Sequence, residues 1–186
     1  MRQLGIPLPS AFVLTADVCR AYYADGQQLP AAAWAQIPSA MSVLEQSTGR
    51  TFGGGNHPLL VSVRSGAPMS MPGMMDTVLN LGMTDQVEQA LADRSGDPDY
   101  AADTRRRFEE QFERVIGTAP PTNPWEQLRL AVIAVLDSWQ SRRAVAYRRD
   151  RGIPKDGGAA VTIQAMAVRA TQFIGARPRS AAIYGE

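Results

Sequence analysis

Apolar and polar positions along the chain switch between two spacings, and glycines and prolines mark the switches. Phe12-Val13-Leu14 follows Pro7 and Pro9 and predicts a short buried strand. Thr15 then stands at an N-cap position, with Asp17 in the first turn and Gly26 placed to stop the helix. A second helical stretch runs from Ala31 to Thr48 and ends at Gly49, with Pro38 expected to kink or restart it. After the loop Gly53-Gly54-Gly55-Asn56, residues Leu59–Arg64 alternate: Leu59, Val61 and Val63 share one face, and Leu60, Ser62 and Arg64 the other.

Further on, the stretch from about Asp76 to Arg114 reads as helical and polar. Thr84 caps one helix, Ser95-Gly96-Asp97-Pro98 breaks it, and Phe108, Phe112 and Val115 recur at helical spacing in the next. Residues 117–122 form a linker. Asn123-Pro124-Trp125-Glu126 supplies an N-cap, Pro at N1 and Glu at N3, the strongest helix start in the chain. That helix is expected to carry Leu128, Val132, Val135, Leu136, Trp139 and, further on, Ala146 on one stripe. It would end in Arg148, Arg149, Arg151 and Gly152, a solvated basic end that suits the helix dipole. Gly157-Gly158 precedes a last strand in which Val161, Ile163 and Ala165 alternate against Thr162, Gln164 and Met166, with an open edge expected after Met166. Residues 169–186 show neither period. Strands separated by helices, with a mostly helical middle, predict an α+β layer with an all-helical insert.

At 186 residues, 45% apolar and 20% charged, the chain has material for one good core or two small subdomains. A net charge of +1 gives no global field for nucleic acid or an anionic membrane. Cys19 is alone, which rules out an internal disulfide and points to a reducing cytoplasm. No run resembles a signal peptide or a membrane span.

The candidate chemistry centres on the strand-to-loop passage. Arg64 with Ser65, Gly66 and the Gly73 loop combines a planar fork of donors with small residues that let backbone N–H groups approach an anion, although a surface hairpin with a solvated arginine fits the same residues. Four of the eight methionines, Met69, Met71, Met74 and Met75, crowd the loop; plastic packing is their common use, a soft-metal site the alternative. His57 in its glycine-rich loop reads as solvated, and Cys19 as a packed thiol. Arg105-Arg106-Arg107 faces Glu109-Glu110 at the spacing of i,i+4 surface pairs. No metal-ligand spacing is present, and Gln164 projects from the strand face opposite Val161 and Ile163.

The run Pro58–Ala67 (Pro-Leu-Leu-Val-Ser-Val-Arg-Ser-Gly-Ala), followed by Ser70-Met71-Pro72-Gly73-Met74-Met75-Asp76-Thr77-Val78-Leu79-Asn80-Leu81-Gly82, resembles the N-terminal nucleotide-binding domain of pyruvate, phosphate dikinase. Leu4-Gly5-Ile6-Pro7-Leu8-Pro9, Ser138-Trp139 through Ile153-Pro154, and Gly158–Met166 resemble flanking parts of the same domain, so that the likeness covers roughly residues 4 to 168. The resemblance implies an incomplete ATP-grasp-like lobe, a small mostly antiparallel sheet with helices. Its division would be residues 1–82 as the first part of the lobe, 83–122 as the helical insert, 123–168 as the return to the lobe and 169–186 as a divergent tail. It implies Mg²⁺-ATP as ligand, with Arg64 on the ATP phosphates, Gly73 in the loop that closes over them and Gln164 toward the adenine side, while Ser65 and Gly66 stay candidates from their place beside Arg64. The family converts ATP, phosphate and pyruvate to AMP, diphosphate and phosphoenolpyruvate by way of a histidine on a separate domain. Its lysine- and glycine-rich loop would lie upstream of this chain. Its Mg²⁺ carboxylates would lie downstream, where this chain diverges, and Ala67-Pro68 replaces a common Ala-Arg pair. The expectation is a cytoplasmic ATP-binding portion that is not active alone and looks to another chain for the missing lobe or phosphohistidine domain. The alternative is a non-catalytic remnant or partner-dependent interaction subunit.

Overall fold

The structure, a computed structural model, describes residues 9–66, 71–154 and 157–167. A four-stranded antiparallel sheet carries the site. It is built from β1 (Ala11–Leu14), β4 (Val61–Gly66), β5 (Thr77–Leu81) and β6 (Ala160–Ala165), in the order β1-β6-β4-β5. Two short strands, β2 (Thr51–Phe52) and β3 (Pro58–Leu59), pair in parallel beside it. Around these run α1 (Ala16–Ala24), α2 (Ala31–Trp34), α3 (Ile37–Thr48), α4 (Asp85–Ser95), α5 (Pro98–Ile116), α6 (Pro124–Asp137) and α7 (Arg142–Asp150). Mixed helices and an antiparallel sheet make the α+β class expected from the sequence.

Alternation decides which face is buried. Val61, Val63, Val161, Ile163 and Val78 point inward and are fully buried under α1 and α6. α6 supplies Leu128, Ala131, Val132, Val135 and Leu136 to that core. α5 adds Phe108 and Phe112, whose rings meet edge to face. Several local signals act as the sequence predicts. Asn123 accepts from the Trp125 and Glu126 amides, and Thr84 accepts from the Val87 amide. Pro38 restarts the second helical stretch, with the break at Ala35-Gln36, and Gly49 ends it at φ +64°.

Five expectations are overturned. First, Thr77–Leu81 is a strand rather than the start of a helical run, because its residues find the free edge of β4. Gln111 of α5 then satisfies the far side of β5, accepting from the Leu79 amide and donating to the Thr77 carbonyl, each at 3.1 Å. Second, Leu59 and Val61 belong to different strands, since Leu60 lies between the β3 and β4 pairings. Third, β1 is an edge strand and Val13 is 51% exposed, so its middle residue is not buried. Fourth, β6 is a central strand, paired on both sides by β1 and β4, so no edge opens along it.

The fifth concerns the long stripe helix. It is two helices, separated by a 3-10 turn over Ser138–Gln140 and restarted by Ser141, which caps the Ala144 amide. The core position beyond the break is Ala144 rather than Ala146. Arg148 is not solvated: it is 2% exposed, lies 3.8 Å over the Trp139 ring and donates to the Trp139 carbonyl and Gln140. Burial pulls its guanidinium below the ordinary arginine value.

Gly82 shows how closely the sheet meets its surroundings. Its φ is +96°, and an added Cβ would sit 2.7 Å from the Phe52 ring and 3.2 Å from the Leu59 carbonyl. Gly82→Ala should therefore destabilise the fold by about 2–4 kcal/mol, combining left-handed strain with overpacking, as read by urea denaturation. An unchanged midpoint would refute this packing. The acid groups behind α1 give a second expectation. Desolvation raises the Cys19 thiol above 9.0, and desolvation, reinforced for Tyr22 by its bond to Asp137, raises both Tyr22 and Tyr23 above 10.0. The unfolded chain gives up these protons first, so stability is fully present below about pH 9 and falls as pH rises beyond it. Denaturation midpoints that hold constant from pH 7 to pH 10.5 would contradict this.

Candidate functional site

The β4–β6 ladder sets the geometry of the site. Arg64 lies opposite Thr162 on one side and Thr77 on the other, while Ser62 lies opposite Gln164. Because the valines and isoleucine take the inner face, Ser62, Arg64, Thr162 and Gln164 share the outer one. The Arg64 guanidinium is exposed, and its Nη2 donates to Oε1 of Gln164. Gln164 Nε2 in turn donates to the Pro9 carbonyl at 3.1 Å. Two of the residues singled out in the sequence, 100 positions apart, are thus brought into direct contact.

This arrangement orients the arginine without neutralising it. Among the described residues Arg64 makes no ion pair. Arg105, by contrast, is held by Asp85, Glu88 and Glu109 at 2.5–2.8 Å. Arg105–Glu109 and Arg106–Glu110 are the i,i+4 pairs expected from the sequence. A guanidinium with one neutral partner keeps most of its donor fork free for an oxyanion.

Ser65 and Gly66 continue β4 opposite Val161 and Ala160. Alternation puts Ser65 on the same side as Val61 and Val63, so its backbone is nearer to Arg64's surroundings than its hydroxyl. Residues 67–70 lie outside the described residues, Met69 among them. Gly73 is exposed at φ +70°, in a turn where the Met74 amide donates to the Met71 carbonyl at 3.1 Å. With Pro72 and Gly73 as central residues, this is a type II turn, which requires the positive φ that glycine allows. Met71, Met74 and Met75 pack on the core, and Met75 sulfur lies 3.7 Å from the Ser138 hydroxyl, whose proton goes to the Val135 carbonyl at 2.7 Å. His57 is exposed, with Arg94 Nη1 2.7 Å from its Nδ1, and Cys19 is fully buried.

Two further residues act on this region: Gln127, which sequence reasoning missed, and Arg143, which it reads with Arg142 as a basic run that contacts phosphates or is solvated. Gln127, 1% exposed, accepts from the Gly82 amide at 3.0 Å and donates to the Met83 and Pro121 carbonyls at 2.8 Å, tying the end of β5 to α6. Arg143 donates through Nε to the Met74 carbonyl at 3.0 Å and pairs with Asp76. Neither contact has a local signal, because its partners lie 44 to 69 positions away except for Pro121. Clefts of 330–580 Å³ lie elsewhere among the described residues. The candidate site is built on the outer face of the β4–β6 pair, beside the Gly73 turn.

No helix among the described residues is long and apolar enough to cross a membrane, and no group of three or more His, Cys, Asp or Glu side chains there is placed to hold a metal ion. Comparison with known proteins supplies the family. Residues 25–176 match the model described as the pyruvate phosphate dikinase AMP/ATP-binding domain. The chain is 35% identical to the pyruvate, phosphate dikinase of Rickettsia conorii and 36% identical to that of Clostridium symbiosum, over 89% of its own length and 24% of theirs. Pyruvate, phosphate dikinase 2 of Zea mays is 35% identical with the same coverage. The chain spans about a quarter of the length of these relatives. The Arg64 strand, the Gly73 turn and the Gln164 strand all fall within the matched residues, and the chain belongs to the pyruvate phosphate dikinase AMP/ATP-binding domain family.

Proposed function

We propose that this chain is the ATP-binding portion of a pyruvate, phosphate dikinase and that Arg64 contacts the nucleotide's phosphates. The observation that carries this reading is the exposed Arg64 guanidinium, oriented by a neutral glutamine and free of any carboxylate among the described residues. The phosphates would lie on the outer face of the β4–β6 pair. The Gly73 turn would offer backbone N–H groups from one side, the backbone of Ser65 and Gly66 would continue the cradle, and Gln164 would lie toward the adenine. The carboxylates among the described residues do not gather into a Mg²⁺ site, so Mg²⁺ would arrive with the nucleotide and take its protein ligands from elsewhere. Positioned cations and backbone donors fit the chemistry, because phosphoryl transfer asks the protein mainly for alignment and charge stabilisation.

The same reading divides the chain into a first part of the lobe at 1–82, a helical insert at 83–122 and a return to the lobe at 123–168. It places the protein in the cytoplasm. It also assigns phosphoenolpyruvate synthesis from ATP, phosphate and pyruvate to a larger whole, with the second lobe and the phosphohistidine domain lying outside these 186 residues. Val13, half in solvent beside Thr162, and the exposed Arg64 favour a second reading: an interaction subunit that docks this face on a partner without binding nucleotide.

Titration calorimetry with Mg²⁺-ATP separates the two. Millimolar or tighter binding is expected, weakened about tenfold or more by Arg64→Ala and less by Arg64→Lys, which keeps the charge but loses the fork. Equal affinity in Arg64→Ala would sink the phosphate assignment, and undetectable binding by the parent chain would favour the interaction subunit. Steady turnover of ATP, phosphate and pyruvate by these 186 residues alone would refute the assignment to a portion of a larger whole.

A further inference from the structure

The loop that carries Gly73 is held from a helix distant in sequence. Arg143 stands in the first turn of α7 and reaches back 69 positions, donating through Nε to the Met74 carbonyl at 3.0 Å. Its Nη2 pairs with the Asp76 carboxylate. One planar fork thus binds two acceptors two residues apart, which a lysine ammonium does not reproduce. The Met74 amide is already committed to the Met71 carbonyl, so this peptide segment is fixed on both sides of the residue after Gly73. Asp76 immediately precedes Thr77, the β5 residue in register with Arg64. A single side chain therefore fixes both the exit of the Gly73 turn and the residue before Arg64's strand neighbour.

Two physical features argue that this contact orients the loop more than it stabilises the fold. The Arg143 and Asp76 side chains are 50% and 28% exposed, a setting in which an ion pair adds little stability. A cation in the first turn of α7 also opposes the helix dipole, which the Asp76 carboxylate offsets. Ser138, in the turn before α7, places its hydroxyl oxygen 3.7 Å from Met75 sulfur, so the junction between α6 and α7 meets the loop at three successive residues.

We infer that Arg143 is a positioning residue, which holds the Gly73 turn in place for the phosphates of the nucleotide by clamping the Met74 carbonyl and Asp76. This deepens the proposed nucleotide site and rests on it. The test begins with the nucleotide-free chain. In Arg143→Met, amide hydrogen exchange across Met74–Thr77 should rise on the order of tenfold, while α4 and α5 exchange as before and the thermal midpoint stays nearly unchanged. Arg143→Lys should recover only part of that protection. Asp76→Asn combined with Arg143→Met should cost less than the two single effects added, since both remove one clamp. With nucleotide, Arg143→Met should lower the ratio of ATP to AMP affinity, because the turn acts on the outer phosphates. Unchanged loop exchange overturns the inference, and so does a parallel loss of ATP and AMP binding together with a lowered thermal midpoint, which marks a merely structural role. If the parent chain binds no ATP, or if Arg64→Ala leaves its affinity unaltered, the site reading itself fails. The exchange measurement then still decides whether Arg143 holds the loop.

Discussion

The antiparallel ladder between Val61–Gly66 and Ala160–Ala165 is the constraint on which the rest depends. It closes a segment of about a hundred residues, so its partners meet only after the helices between them have formed or collapsed. The entropic cost of loop closure grows slowly with length, and such a pairing is thermodynamically tolerable though kinetically late. Once made, it places Val61, Val63, Val161 and Ile163 in one buried layer and Arg64 and Gln164 on the other side. A slip of one residue would exchange the two faces, burying the arginine and exposing the valines. Register, core and site are thus set by the same set of backbone bonds.

The intervening helices do more than fill the gap between strands. Gln111 acts as a surrogate strand neighbour for β5, and Gln127 satisfies the end of the same strand. Two glutamines from two helices therefore cap polar groups that an edge strand would otherwise present to other chains. The α4–α5 pair is held to itself by Arg105, which gathers Asp85 and Glu88 from one helix and Glu109 from the other. The α4–α5 pair is consequently bound to the sheet by neutral amides and apolar packing, while Arg105 is spent within the pair.

Much of this was legible in the sequence where the signal is local. The Asn123 cap, the Thr84 cap and the Gly49 stop involve residues within a few positions, and the alternation in β4 and β6 correctly assigned Arg64 and Gln164 to the face away from the valines. The strand at Thr77–Leu81 was not legible, because five residues with two at intermediate polarity give too short a period, and Asn80 at φ +58° interrupts it. Arg148 was misread for a related reason. Its carbonyl partners at the 3-10 turn exist only because the helix breaks at Ser138, and a pattern of apolar residues through Trp139 conceals that break. Arg143 reads in the sequence only as half of an Arg142-Arg143 run, open to phosphate contact or to solvent, and a loop clamp looks the same in one dimension.

The choice of partner for Arg64 bears on what the site is able to do. A carboxylate in place of Gln164 would hold the guanidinium at least as firmly, but it would also compete with an incoming phosphate for the same donors and cancel the charge that attracts it. A glutamine supplies one acceptor and then anchors itself through its own N–H to the Pro9 carbonyl, so orientation comes from neutral groups alone. Arg105 shows the opposite solution, in which carboxylates take the fork, and Arg143 divides its fork between the Asp76 carboxylate and the Met74 carbonyl. The chain thus carries three arginines that differ chiefly in the charge of their partners, and the one paired with a neutral amide is the one that remains available to an anion.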